Sequence, residues 1–192
     1  MNKSNLNFAI VGCGRIGERH ASHIKKLANL VAVCDSDIKR CKNILKEPSR
    51  CFNTIDRLLN SNLKPDVVSI CTPNGFHAEH SIKSLSSGHH VLCEKPMALS
   101  GVDCGEMIKA SEKSNKRLFI VKQNRFNPPI KALKDAIDQN KLGKIFSVQL
   151  NCFWNRNKDY YKDDPWKGSL KLDGGTLYTQ YSHFIDLIYW LF

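Results

Sequence analysis

The stretch Phe8-Ala9-Ile10-Val11-Gly12-Cys13-Gly14-Arg15-Ile16-Gly17 decides the fold. Its apolar opening, Phe8–Val11, reads as a short buried strand that Gly12 closes. From Arg15 to Leu27 the apolar residues Ile16, Ile24 and Leu27 take helical spacing instead. Gly12, Gly14 and Gly17 thus punctuate a strand-to-helix turn in the pattern G-x-G-x-x-G. Each glycine has its own physical use there. The first permits a tight turn, the second lets the backbone come close to a bound group, and the third lets helix and strand pack closely.

The free N–H groups and the positive dipole end of the helix face the same space and suit a pyrophosphate. Asp35 ends the next apolar run, about 20 residues on, where an acid accepts hydrogen bonds from a ribose diol. Gly12, Cys13, Gly14, Arg15, Ile16, Gly17 and Asp35 are therefore the expected dinucleotide site. A carboxylate at Asp35 repels a 2′-phosphate, which favours NAD over NADP, while the cations Lys39 and Arg40 lie near enough in sequence to oppose that preference.

Outward from this turn, strand-like and helix-like segments alternate as far as about Lys122. Leu30–Cys34 is a second strand, and Asp35-Ser36-Asp37 offers N-caps for a helix reaching Leu45. A short helix at Ile55–Leu59 precedes the strand Val67–Cys71. Phe76–Ser86 reads as a helix closed by Gly88, His90–Cys93 as a strand, Asp103–Ser114 as a helix and Leu118–Val121 as a strand. Continuous apolar runs separated by helices indicate a parallel sheet covered on both faces, the doubly wound α/β class. After Val121 the pattern changes. Asn127-Pro128-Pro129 introduces a helix from Ile130 to about Gln139, Lys141–Lys144 is a turn, and Ile145–Trp154 is the longest strand candidate. A polar, aromatic-rich stretch then leads to Gly174-Gly175, which open a helix running to Phe192. The expected division is 1–123 for the dinucleotide domain and 124–192 for the start of a second one. Ending on Ile-Tyr-Trp-Leu-Phe without a cap, the chain is expected to stop inside a helix, as a truncated protein does.

Composition narrows the function classes. The 192 residues are 42% hydrophobic and 24% charged, which suits a folded core and excludes a disordered chain. No apolar run approaches the ~20 residues that span a bilayer, and no signal-peptide segment opens the chain, so a cytoplasmic location is expected. The net charge of +11 comes from scattered lysines rather than a dense basic run. No nucleic-acid motif accompanies it, so neither nucleic acid nor a membrane is an expected partner, and an anionic small substrate is compatible. The eight cysteines include no C-x-x-C pair and sit mainly in apolar runs, so they read as reduced, packed thiols. His20/His23 and His77/His80 have a spacing that two metal ligands could share, but surface helix histidines explain it as well; no metal is expected.

Further segments carry chemistry. Cys93-Glu94-Lys95-Pro96 ends a strand, and the carboxyl ends of parallel strands are where such sheets bind ligands. On the last helix Thr176, Thr179, Gln180, His183 and Asp186 form a polar stripe at three- and four-residue steps. Leu177, Phe184, Ile185 and Ile188 are expected to pack around it.

Together with Cys71-Thr72-Pro73-Asn74 and His77, these segments resemble the Gfo/Idh/MocA family of sugar and cyclitol oxidoreductases over essentially the whole chain. The resemblance implies a Rossmann domain followed by an α/β domain with an open, mainly antiparallel sheet, incomplete here, and a homo-oligomer at full length. It places Lys95 and His183 in the active site and Thr72, Pro73, Asn74, His77, Glu94, Lys95 and Gln123 against the dinucleotide. The sequence departs from the family pattern where Asp173 replaces the first of three glycines and Thr179 replaces an aspartate four residues before His183. Thr179-Gln180, with Val121–Pro129, resembles the WlbA/WbpB-type branch, which oxidises the 3-hydroxyl of UDP-N-acetylglucosaminuronic acid for surface polysaccharide synthesis.

Such an oxidation needs a base for the hydroxyl proton and a positive group near the developing alkoxide. His183 suits the first role and Lys95 the second, with the reverse assignment also open. An anionic nucleotide sugar would meet Asn124, Arg125, Thr179 and Gln180, together with Arg156 and the rings of Tyr160, Tyr161 or Trp166. Two other readings stay open: a same-family oxidoreductase on another sugar or cyclitol, and a non-catalytic dinucleotide-binding regulator or inactive fragment.

Overall fold

The structure is a computed structural model and describes residues 4–162 and 164–192. The described chain divides into two compact units, the first ending at Val121 and the second covering Lys122–Phe192.

In the first unit the strands are β1 (Asn7–Val11), β2 (Asn29–Cys34), β3 (Cys51–Phe52), β4 (Val67–Ile70), β5 (His90–Cys93) and β6 (Leu118–Ile120). They form one sheet in the order β3-β2-β1-β4-β5-β6, every neighbouring pair parallel. Alternation along each strand sends side chains to opposite faces. Ala9, Val11, Ala32 and Cys34 join a core with Val68, Ile70, Val91, Leu85 and Met107, whereas Ile10 and Val33 join a second core with Ala21, Ile24, Cys41 and Ile44. Helices α1 (Arg15–Leu27) and α2 (Ile38–Ile44) supply the second core. The first is closed by α3 (Ile55–Leu59), α4 (His77–Ser86) and α5 (Gly101–Ser114). Ile10, Val33, Val68, Ile70 and Val91 are fully buried, each stabilising the sheet by about 1.5–3 kcal/mol.

The chain runs outward from β1 through β2 to β3, then crosses to the other side of β1 and continues through β4 to β6. The order therefore reverses between β1 and β4, and a doubly wound sheet binds its ligand beyond the strand ends at that point. The caps follow the sequence. Asp37 accepts the N–H of Lys39 at 3.0 Å to start α2, and Thr54 and Ser100 cap α3 and α5 in the same way. β3 has no counterpart in the sequence reading, because two residues carry no period. α5 also starts earlier than Asp103, at Gly101, since the Ser100 cap moves its first turn forward.

The second unit contains α6 (Pro128–Asp138), α7 (Lys158–Lys162) and α8 (Ser182–Leu191), with a π-helical turn at Leu177–Tyr181 leading into α8. Two prolines occupy the first turn of α6, where their missing N–H groups cost nothing. The strand expected at Ile145–Trp154 is not formed. Strands exist by pairing, and among the described residues no other strand stands in this unit to give it a ladder. For the same reason no antiparallel sheet is seen there. The expected single helix after Gly175 is instead interrupted by the π turn. On α8, Leu187 and Leu191 are buried, while Leu177, Ile185 and Ile188, expected to pack, are exposed. Of the expected packing residues Phe184 is half-buried; of the polar stripe His183 is buried, Thr179, Gln180 and Asp186 are half-buried and Thr176 is exposed.

Candidate active site

The glycine turn is fixed by close backbone approach. Gly12 has φ +95°, and a Cβ there would lie 2.5 Å from the Cys71 carbonyl and 2.7 Å from the Thr72 nitrogen. A Cβ on Gly17 would lie 2.0 Å from the Gly12 oxygen, so the third glycine is what lets α1 lie against β1. Gly14 differs from both. Among the described residues only the Arg40 guanidinium, at 3.8 Å, comes within 4 Å of the position its Cβ would take. The protein's own packing therefore does not require the middle glycine, which fits a backbone reserved for close approach by a phosphate. Arg15 and Ile16 begin α1 as exposed residues.

Asp35 ties the turn to the end of β2. Its Oδ2 accepts the Cys13 N–H at 2.7 Å and its Oδ1 accepts the Asp37 N–H at 2.9 Å. A carboxylate has about four acceptor positions, so two remain for a ribose diol. The Cys13 side chain points away, its sulfur 3.7 Å from the Cys41 sulfur and 3.6 Å from the Cys34 carbonyl. Burial pushes the Cys13 thiol well above its ordinary range. Cys13 thus offers the site a backbone and no reactive side chain.

Beyond β4 and β5, histidines clamp the loops. His77 is buried, with Nδ1 2.7 Å from the Pro96 carbonyl and Nε2 2.9 Å from the Thr72 carbonyl, so it joins the two loops that bound the crevice. Burial pushes its pKa down, against the pull of those carbonyls. His80 Nδ1 lies 3.1 Å from the Thr72 hydroxyl. Asn74 is buried in the short turn before α4. Glu94 donates its N–H to the Ile70 carbonyl at 3.0 Å, which extends the β4–β5 pairing to the doorstep of Lys95. The Lys95–Pro96 peptide is cis. Burial pushes the Glu94 carboxyl up, but the hydrogen bond and charge of His20 and the Lys95 N–H outweigh it and hold Glu94 below its ordinary value. Of the paired histidines only His23 fits the surface reading. His20 and His77 are tied inward, and no cluster suited to a metal occurs among the described residues.

In the second unit Gln123, Asn124 and Arg125 lie in a single 3₁₀ turn, Gln123–Phe126. Arg125 is engaged by Asp186, its Nε and Nη2 donating to the carboxylate at 2.8 and 2.6 Å, with Lys122 3.5 Å away. That fork anchors the turn to α8, so Arg125 serves the fold before any ligand. A second cluster gathers expected substrate residues. Arg156 stacks between Trp154 at 4.2 Å and Tyr160 at 4.3 Å and donates to the Gln180 side chain at 3.1 Å. Gln180 in turn donates to the Tyr160 hydroxyl at 3.4 Å, and Lys167 lies 4.2 Å over the Tyr160 ring. Tyr161 meets Tyr160 edge-on, and Trp166 is half-buried in the following turn. Trp154 and Lys167 were missed by sequence reasoning, as nothing local marks them. His183 is buried at the start of α8, one turn after Thr179, whose hydroxyl donates to the Gly175 carbonyl at 3.1 Å. Gly174 and Gly175 have φ +78° and +84°, which only glycine adopts freely, so this pair serves the turn. Asp173 accepts the Gly168 N–H at 2.9 Å and pins the loop ahead of it.

A doubly wound sheet whose glycine turn and carboxylate meet at the reversal point defines a dinucleotide-binding α/β protein. Comparison with known proteins makes that particular. Residues 6–122 match the oxidoreductase family model of the NAD-binding Rossmann fold, and residues 130–192 match the GFO/IDH/MocA C-terminal domain. The chain belongs to the Gfo/Idh/MocA oxidoreductase family, and NAD is the cofactor of its first domain. The fold superimposes on the WlbA dehydrogenase of Chromobacterium violaceum, solved with NADH and UDP-GlcNAcA, with a TM-score of 0.92 and 38% identity, covering 100% of this chain and 56% of that one. The WlbA dehydrogenase of Bordetella pertussis, with the same two ligands, gives 0.91 and 35%, over 98% of this chain and 60% of that one. D-glucoside 3-dehydrogenase of Escherichia coli is 34% identical over 76% of this chain and 43% of its own length. The chain thus spans about half the length of the relatives it matches. No helix among the described residues is long and apolar enough to cross a membrane.

Proposed function

We propose that this chain carries the NAD-binding half and the opening of the substrate half of a dehydrogenase that oxidises the 3-hydroxyl of UDP-N-acetylglucosaminuronic acid. The observation that carries the class is the Cys13 N–H held at 2.7 Å by Asp35 beside the open middle glycine, a cradle fitted to a pyrophosphate and its ribose. The substrate rests on the two WlbA dehydrogenases solved with UDP-GlcNAcA, and the position on a relative named for oxidation at carbon 3.

NAD, when bound, accepts the hydride. The residues of this chain do the rest. The amides at the start of α1 bind the phosphates, and Asp35 orients the ribose through its remaining lone pairs. His183 takes the hydroxyl proton and Lys95 stabilises the oxygen as negative charge develops. The resemblance to the family is what supports a catalytic role for Lys95 and for His183. Arg156, braced by Trp154, Tyr160 and Gln180, is the cation offered to an acidic sugar.

The test is turnover of UDP-N-acetylglucosaminuronic acid with NAD by the gene product as its host makes it, followed through reduced nicotinamide. Reduction is expected. No reduction, with other sugars accepted, moves the substrate and leaves the dehydrogenase class standing. Lys95→Ala is expected to abolish turnover while NAD still binds; retained turnover removes Lys95 from the chemistry.

A further inference from the structure

His20 lies on α1 one turn beyond Gly17, and its side chain is only 13% exposed. Its Nδ1 is 2.8 Å from the Ser69 hydroxyl on β4, and its Nε2 is 2.9 Å from Glu94 Oε1 at the end of β5. The other Glu94 oxygen accepts the N–H of Lys95 at 3.2 Å. One imidazole therefore links three elements that meet at the crevice: the helix whose first amides face the phosphates, the strand β4, and the corner that presents Lys95.

The chemistry of each partner fixes the roles. An ionised carboxylate only accepts, so Nε2 donates to Glu94. Ser69 either donates to Nδ1 or accepts from it, so the link holds with the ring neutral or charged. Ser69 is fully buried within its strand, which bars a substrate from reaching it and excludes a nucleophilic serine–histidine–glutamate triad. What remains is a brace. Without it, the half-buried Glu94 carboxylate loses its main side-chain donor and either turns or takes up a proton, and the Lys95 N–H loses a fixed acceptor.

We infer that His20 is a positioning residue of the cofactor site: it locks the Glu94 carboxylate and, through the Lys95 backbone, sets the corner against which NAD binds. The inference rests on the reading of the Glu94–Lys95 corner as part of the NAD site. It assigns a use to the histidine three residues after the last glycine of the turn, which neither the glycine pattern nor the metal-like spacing with His23 supplies.

The test is a double-mutant cycle in the chain, read as the NAD dissociation constant by calorimetry, with a thermal melt of each variant without NAD. His20→Ala is expected to weaken NAD about tenfold, the cost of one hydrogen bond to a charged group. His20→Gln keeps an N–H donor at the reach of Nε2 and is expected to restore affinity to within about threefold of the wild type. In a Glu94→Gln background, His20→Ala is expected to add less than about twofold, because the two residues act as one unit. Wild-type affinity in His20→Ala, or an undiminished loss in the Glu94→Gln background, overturns the inference. If His20→Ala does not fold, His20→Gln decides: a folded His20→Gln that loses affinity tenfold overturns it as well. A wild-type chain that binds no NAD overturns the cofactor reading and this inference together, whereas NAD binding without coupling overturns this inference alone.

Discussion

Gly14 and Gly17 lie three residues apart in one turn, yet their replacement by alanine should fail in opposite ways. At Gly17 the added Cβ would sit 2.0 Å from the Gly12 carbonyl oxygen and 3.0 Å from its carbon, both backbone atoms that cannot swing aside. α1 has to move off β1, an overpacking cost of about 2–3 kcal/mol. For a chain of this size that lowers the melting temperature by about 4–10 °C. At Gly14 the backbone has φ −75° and ψ −170°, which alanine adopts without strain, and the nearest atom, on flexible Arg40, is 3.8 Å away. Losing glycine at this N-cap costs a few tenths of a kcal/mol, offset by the stiffer unfolded chain, so the net change is within about 0.5 kcal/mol. The same methyl group stands where the pyrophosphate must approach, and loss of its charge-assisted hydrogen bonds should weaken NAD about tenfold or more. Differential scanning calorimetry and NAD titration on both variants separate the effects. Gly14→Ala with unchanged NAD affinity, or Gly14→Ala melting as early as Gly17→Ala, would refute the reasoning.

The same geometry predicts other outcomes. Asp35→Ala is expected to weaken NAD about tenfold and to narrow its advantage over NADP, since one change removes the diol acceptor and the charge that repels a 2′-phosphate; parallel titrations check it. At Asp186, burial pushes the carboxyl up, but Arg125 and Lys122 outweigh it and hold it below its ordinary value. The stabilisation is then whole above the unfolded carboxylate value of about 3.9 and is lost as pH falls through the lower folded pKa. Acid unfolding monitored by fluorescence of Trp190, which Arg125 overlies, should shift to higher pH in Asp186→Asn. In the folded chain Cys13 and Cys41 should resist alkylation at neutral pH while the half-buried Cys51, Cys104 and Cys152 label first by mass spectrometry, because the first two are buried and their thiols raised by desolvation.

How much of this could be read from the sequence depends on how local the cause is. The strand–glycine–helix turn was legible because hydrophobic period and glycine spacing change together at Gly12, and the cap of α2 because Asp37 precedes its helix directly. β3 was not, since Cys51-Phe52 offers no repeat and is a strand only through its pairing with Val33 and Cys34. Ile145–Trp154 failed in the opposite direction: its composition suits a strand, but composition does not supply a partner. On α8 the buried side carries His183, Leu187 and Leu191 while Ile185 and Ile188 face out, and nothing local in the sequence says which face of a helix its neighbours cover. Type and motif nominate the candidate site residues, but they do not name the partners that hold them. Nothing near Arg125 in sequence announces Asp186, 61 residues later, nor anything near His20 the carboxylate of Glu94, 74 residues away.

The most direct test of the account is a crystal structure of this chain grown with NAD. The pyrophosphate should lie on the amides at the start of α1, over Gly14, with the adenosine ribose hydroxyls on the Asp35 carboxylate. A dinucleotide bound elsewhere, or an Asp35 that keeps only its bonds to Cys13 and Asp37 while the ribose lies away from it, would contradict the account.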